Sequence, residues 1–125
     1  MSVDQTLVVG ISNLTGIAVR ALHGEQLGDD QPVQVPLIVV SRIGSEWNSW
    51  STVCKGNADI AEVIVQIDVY TTTLAQCRKL MDQIRRWVVD NLPASLDSEF
   101  DLWDSERVYR TTATITVTDD APNAI

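Results

Sequence analysis

The chain has 125 residues, 45% of them hydrophobic, and a formal net charge of −8. This size and composition are typical of one globular domain, residues 1–125, which can bury a core without metal or disulfide crosslinks. The charge argues against specific nucleic-acid binding, which needs a basic surface, and no apolar run reaches the about 20 residues of a membrane span.

The N-terminal residues lack the basic segment and cleavage site of a signal peptide, so we expect none. Residues 4–14 predict a helix, because Leu7, Ile11 and Leu14 recur at helical spacing. Gly10 weakens this helix by about 1 kcal/mol relative to alanine. The Thr-Gly pair that follows is predicted to end it.

Residues 17–22 alternate loosely and predict a short edge strand, with continuation of the helix as the alternative. Polar residues with glycine and proline follow over 23–34 and predict a loop. This loop holds the only histidine, His23. We interpret His23 as a loop residue rather than a metal ligand or a base, because no cysteine or acidic partner pattern surrounds it.

The segment 35–43, VPLIVVSRI, is apolar on both faces and predicts a strand in the middle of a sheet. A polar, turn-rich loop is predicted over 44–57, yet it carries Trp47 and Trp50. These indoles either fold back over the core or dock on another chain, where tryptophan is enriched. We predict that the loop is mobile in the free subunit and ordered on assembly.

The central stretch, residues 59–92, changes from a period of two to a helical period. Its first part predicts a strand whose core face carries Val63, Val65 and Ile67. Its second part predicts a helix over 74–91 with one apolar stripe, which we expect to pack on that face of the strand. The stripe consists of Leu74, Cys77, Leu80, Met81, Ile84, Trp87 and Val88.

Both ends of this helix carry residues that favour its start and its end. Thr73 and Gln76 have capping-box spacing, in which the hydroxyl accepts from a first-turn amide and the glutamine side chain reaches back. Asn91 and Pro93 are predicted to end the helix, because proline has no amide hydrogen and clashes with the preceding turn.

Acidic residues with apolar neighbours follow, and part of this segment, 99–103, predicts a short strand. The next segment, 107–118, alternates between an apolar face and a threonine-rich face, which predicts a long strand of a half-solvated antiparallel sheet. Residues 119–125 predict a frayed tail. The acidic residues are Asp97, Glu99, Asp101, Asp104 and Glu106.

The predicted strands outnumber the predicted helices and come in pairs, and the sequence has no internal repeat. The pattern therefore predicts an α+β fold, with a mainly antiparallel β-sheet and helices packed on one face.

No nucleophile elbow, phosphate-binding loop, dinucleotide fingerprint or zinc-ligand spacing occurs in the sequence. Cys77 lies in the helix stripe and predicts core packing, and Cys54 lies in the polar loop without a metal spacing. The acidic segment lacks the glycine and distal glutamate of a calcium loop, so it predicts a solvated edge. We expect no enzymatic activity, no metal and no cofactor; an enzyme that uses the acidic segment is the minority alternative.

Three motifs follow each other in order along the chain. They are the proline that opens the strand VPLIVVSRIG, the strand-to-helix unit DVYTTTLAQCRKLMDQIRRWV, and the Arg-Val-Tyr-Arg start of the last strand. Together they resemble the tail-terminator, or tail-completion, proteins of long-tailed bacteriophages. The resemblance covers most of residues 17–118 and departs at Trp47, Trp50 and the acidic segment 97–106.

The resemblance implies a subunit that assembles as a ring, often hexameric, which caps the tail tube, stops its polymerisation and joins the tail to the head. It implies contacts with the tail tube protein and a head-neck connector protein. The location implied is the tail-neck region of the virion, and the host cytoplasm during assembly. Genome DNA would pass through such a ring without specific binding.

A head-to-tail ring needs two different surface patches that fit each other. The polar side of the predicted helix is basic, and the segment after it is acidic, so opposite charges on neighbouring subunits are one candidate pair; solvated faces are the alternative. Other hypotheses are a different neck or connector protein, or a small dimeric α+β module that binds a ligand. The candidate contact residues are Trp47, Trp50, Arg78, Lys79, Arg85, Arg86, Asp101 and Asp104.

Overall fold

A computed structural model of the protein describes residues 3–22, 35–47, 60–105 and 108–120. Over these residues the chain forms two helices and a five-stranded sheet, which confirms the predicted α+β class. In chain order the elements are α1 (Val3–Thr15), β1 (Val19–Leu22), β2 (Leu37–Trp47), β3 (Ile60–Thr71), α2 (Leu74–Asn91), β4 (Ala94–Ser105) and β5 (Val108–Asp120).

The strands lie in the order β1-β2-β3-β5-β4. β1 runs parallel to β2, and every other neighbouring pair is antiparallel, so the sheet is mainly antiparallel as predicted. β1 forms one edge, which confirms the edge strand predicted within residues 17–22. β4 forms the other edge, and β5 lies between β3 and β4.

Both helices pack on one face of the sheet, named here the helix face; the opposite face is named the open face. Val63, Val65 and Ile67 of β3 point to the helix face and share one core with both helices and with β2 and β5. The predicted packing of the α2 stripe on β3 is therefore confirmed. The fully covered residues of that stripe are Cys77, Met81, Ile84 and Val88.

Local hydrogen bonds determine where α2 begins and where it ends. The Thr73 hydroxyl accepts from the backbone N–H of Gln76 at 3.3 Å, which confirms the predicted N-cap. At the other end the Leu92 N–H donates to the Val88 carbonyl at 2.8 Å, and the helix stops before Pro93.

The two helices approach each other closely at Gly10. A Cβ atom added to Gly10 would lie 2.0 Å from Cζ2 of the Trp87 ring, so the indole of α2 occupies the space that a side chain would need. Alanine usually strengthens a helix, but here it would collide with the indole. Gly16, with a φ of 69°, ends α1 by donating its N–H to the Ser12 carbonyl at 2.9 Å.

Three predicted boundaries are wrong. β2 continues through four residues of the predicted loop 44–57, because pairing with β3 resumes at Gly44 after a β-bulge between Arg42 and Gly44. β4 is longer than the predicted strand 99–103, since hydrogen bonding to β5 supports residues that have no regular apolar pattern. β5 also includes the first two residues of the predicted tail 119–125, paired with the start of β3.

Several predictions fall outside the described residues. These are the loop over 23–34 with His23, the remainder of the loop 44–57 with Trp50 and Cys54, and the tail after Asp120.

Candidate interface surfaces

The predicted basic surface lies on the outer side of α2. The side chains of Arg78 and Arg86 are 61% and 77% exposed, and Arg85 is partly covered at 37%. Lys79 is exposed and forms no ion pair among the described residues. The cationic side chains therefore share one exposed surface, as the helical spacing predicted, but they differ in their partners.

Arg78 bridges α2 to the edge strand β4 within one chain. Its Nε and Nη2 atoms donate to Oδ2 of Asp101 at 2.9 and 2.7 Å. The other oxygen of Asp101 accepts from the hydroxyl of Thr111, a fully buried residue of β5, at 2.9 Å. Asp101 is thus held from two sides, by a charged helix residue and by a neutral strand residue.

Arg85 makes a second bridge between the same two elements. Its Nε atom lies 3.0 Å from Oε1 of Glu99 on β4, and its Nη2 atom donates to Oδ1 of Asp82 at 3.1 Å. Arg86 contributes one further pair, with Nη2 3.2 Å from Oδ2 of Asp82. We name the four pairs Arg78–Asp101, Arg85–Glu99, Arg85–Asp82 and Arg86–Asp82 the α2–β4 clasp.

The sequence hypothesis placed the basic residues of the helix and the acids of the following segment on neighbouring subunits. In the structure, the clasp joins such opposite charges within one subunit. The sheet order explains this, because β4 follows β5 at the edge and lies beside the outer side of α2. Lys79 and the exposed side of Arg86 can still contact a neighbouring subunit. Asp104 lies in β4 and Trp47 ends β2, but neither side chain belongs to the described part, and Trp50 lies outside it.

The clasp lowers the pKa of Asp101 below the ordinary aspartate range. The hydrogen bond from Arg78 is the largest cause, partial burial opposes it, and the hydrogen bond from Thr111 adds to the lowering. The same contact raises the pKa of Arg78. Both directions mean that the ionised pair is favoured in the native state.

This lowered pKa predicts a pH-dependent contribution to stability. In the unfolded chain the carboxyl group titrates near about 3.9, so the contribution is complete above that pH and is lost as the pH falls through the lower native value. We expect Asp101→Asn to lower the free energy of unfolding at pH 7 and to flatten its dependence on pH between about 5 and 2. Denaturant titrations at stepped pH measure this, and equal slopes for both proteins would contradict it.

A charged network on the open face was not predicted. Asp68 of β3 is 3% exposed, and its Oδ1 atom accepts from Nε of Arg110 on β5 at 2.9 Å. The side-chain amide of Gln66 donates to the same carboxylate at 3.0 Å, and the Arg110 guanidinium lies 5.5 Å from the centre of the Tyr70 ring. Asp68 and Arg110 are diagonal neighbours on the two strands, and the sequence signal for the pair was that each lies outside the apolar core face of its strand.

These arrangements hold charges and present surfaces. In the described ranges, no three histidine, cysteine or acidic side chains come together as a metal site. The free thiol of Cys77 is buried, 3.0 Å from the Thr71 hydroxyl. Within the same ranges neither helix is both long enough and apolar enough to cross a membrane.

The comparison with known families decides the class of protein. The family model described as Tail completion protein gp17 matches residues 11–118, a range that extends from within α1 to the end region of β5. The chain belongs to this family. It is accordingly a structural component of a bacteriophage tail and interacts with other tail components. No curated protein matches the chain.

The edge strand β4 of this tail completion protein is exposed along much of its described length. Each residue from Ser95 to Leu102 is exposed, although most of the strand is paired with β5 along its inner side. Phe100 is 60% exposed on the open face, and Leu102 is 44% exposed beside it. Large exposed apolar side chains on a strand edge are typical of contact surfaces.

Proposed function

We propose that this tail completion protein, as one domain of residues 1–125, forms a hexameric ring that caps the tail tube and joins the tail to the head. The observation that carries the proposal is the family match over residues 11–118. Support also comes from exposed apolar side chains such as Val9, Val89 and Phe100, because the buried contacts of a lasting ring must be largely apolar.

The proposed partners are the tail tube protein on one side of the ring and a head-neck connector protein on the other. Genome DNA passes through the centre without specific binding; the net charge of −8 supports this, because an acidic surface does not hold phosphate. The protein functions in the tail-neck region of the virion, assembles in the host cytoplasm and has no enzymatic activity.

In this proposal the contacts between subunits are ion pairs and the packing of tryptophan side chains. Lys79 and Arg86 face acids of a neighbouring subunit, Asp104 among them, and Trp47 and Trp50 dock on a neighbour. Arg78, Arg85 and Asp101 contribute through the α2–β4 clasp, which holds the contact surface in shape.

Native mass measurement and negative-stain imaging of the purified chain test the ring directly. A ring of six subunits is the expected result, and added rings should stop the elongation of purified tube protein at a fixed point. A chain that stays monomeric at high concentration and leaves tube growth unchanged would overturn the proposal. Binding to the connector without an effect on tube growth would identify a different neck protein.

The charged contact predicts that Lys79→Gln combined with Arg86→Gln weakens assembly by roughly tenfold, because each exposed ion pair contributes ~0–1 kcal/mol. The matched control is Asn13→Glu with Thr118→Glu, which lowers the net charge by the same amount at two exposed positions away from α2. Sedimentation over a concentration series measures both variants. Equal weakening by the two variants would mean that overall charge, and not the α2 surface, controls assembly.

A further inference from the structure

The two edges of the sheet are both free among the described residues. β1 has a strand neighbour only on the β2 side, and β4 has one only on the β5 side. An unpaired strand edge presents backbone N–H and C=O groups that can bind another strand. β4 offers the longer edge, and its bulge between Leu96 and Ser98 leaves a regular stretch from Ser98 to Leu102.

The strand directions allow one edge to join the other. β1 and β2 run in the same direction, and each following step across the sheet reverses it, so β4 runs opposite to β1. A second copy placed beside the first in the same orientation would therefore bring its β1 antiparallel to β4. All helices would then lie on the same face of the continued sheet.

Two charged side chains on the open face favour the pairing of β4 with β1 of a second copy. Arg20 of β1 is exposed on the open face, because its neighbour Val19 packs on the core of the helix face, and Arg20 forms no ion pair with any described residue. Asp97 of β4 accepts on the open face from the hydroxyls of Ser95 and Thr116 at 3.1 and 2.6 Å, but it has no cation partner in the described ranges. Among the residues that the structure describes, one edge thus carries a cation without an ion pair and the other an anion without one.

Two other acids of β4, Glu99 and Asp101, do not compete for Arg20. Glu99 and Asp101 point to the helix face and are bound to Arg85 and Arg78 in the same chain. Pairing of β4 with another β4 would add a second acidic strand and leave Arg20 unused. The charges therefore favour β1 of a second copy as the occupant of the β4 edge.

We propose that β4 of each subunit pairs, antiparallel, with β1 of the next subunit, so that the sheet continues from subunit to subunit. Arg20 of one copy reaches Asp97 of its neighbour, and the new strand covers Phe100 and Leu102 from the side. Such a head-to-tail contact closes into a ring when each subunit is rotated by the same angle about a common axis, so this inference rests on the proposed function.

Crosslinking tests the contact. In a Cys54→Ser background, Ala21→Cys with Leu96→Cys places one thiol on each edge, both on the helix face, while Cys77 is buried and does not react. A short bis-maleimide crosslinker, which alkylates one thiol at each end, should give a ladder of covalent oligomers up to the full ring. Either cysteine alone is the control and should give no ladder, because a head-to-tail contact pairs two different edges.

Exchanging the charges of Arg20 and Asp97 tests the same contact independently of the crosslinking. Arg20→Asp and Asp97→Arg should each raise the concentration needed for half assembly by about tenfold, and the double exchange should restore most of the loss. Asp90→Lys, at an exposed position of α2, is the control for a reversal elsewhere. Circular dichroism and thermal melts of each monomer show whether the variants are folded.

The outcomes separate the two proposals. Rings that form without a ladder and are indifferent to the charge exchange overturn the edge pairing and leave the proposed ring intact. A chain that is monomeric throughout and gives no crosslinks overturns both. Crosslinked dimers with either single cysteine would show a symmetric contact and would also overturn the pairing of β4 with β1.

Discussion

Asp68→Ala is expected to lower the free energy of unfolding by about 3 kcal/mol, the low end of the range for breaking a buried ion pair. The substitution leaves the guanidinium of Arg110, whose side chain is only 25% exposed, without the carboxylate that it contacts at 2.9 Å. The side-chain amide of Gln66 loses its acceptor as well. The low end applies because the partial exposure of Arg110 lets water replace some of the lost contact.

Denaturant titration of the folded chain measures this effect. The control is Asp97→Ala on exposed β4, which loses hydrogen bonds in water and should cost less than about 1 kcal/mol. Replacing both partners, Asp68→Leu with Arg110→Met, should recover much of the loss, because no uncompensated charge remains in the site. A single Asp68→Ala effect as small as that of the control would mean that the pair does not contribute to stability.

Ile84→Ala is expected to cost about 2–5 kcal/mol, since the side chain is 1% exposed in the core between α2 and the helix face of the sheet. Val89→Ala, five residues further on the same helix, removes an apolar side chain that is 55% exposed and should change stability by about 0.5 kcal/mol or less. Thermal and denaturant unfolding of the two variants give the comparison. An Ile84→Ala effect below ~1 kcal/mol would mean that the core collapses around the site without a cavity.

The elements with strong periodicity could be predicted from the sequence. The change of period within residues 59–92 located β3 and α2, and the caps at Thr73 and before Pro93 located the helix ends. In these segments one side of each element is buried, so burial and sequence pattern carry the same information. The family was also predictable, because its motifs lie in the same segments and the match covers residues 11–118.

The extent of β4 could not be predicted for a physical reason. Each residue from Ser95 to Leu102 is exposed, so no buried face imposed an alternating pattern on the sequence. The strand exists because β5 supplies hydrogen-bond partners over most of its length, and these are invisible in a local window. The same holds for β2 beyond Gly44, where pairing with β3 resumes after the bulge.

The contacts of the candidate site depended on the order of strands. The sequence showed basic residues on one helix and acids after it, but not that β4 lies beside α2 in the same chain. Only the position of β5 between β3 and β4 brings Arg78 to Asp101 and Arg85 to Glu99. Likewise, Asp68 and Arg110 are far apart in sequence and meet because β3 and β5 are neighbours.

The position of β5 also determines how the chain can reach its native state. β3 and β5 pair along their whole length, yet α2 and β4 both intervene between them in the sequence. The loop-closure entropy of this pairing must be overcome before its contacts form, whereas β4 and β5 are joined by a short connection and can meet early. Folding on the millisecond-to-second scale of sheets with distant pairings is therefore expected, with β5 arriving on β3 already paired to β4.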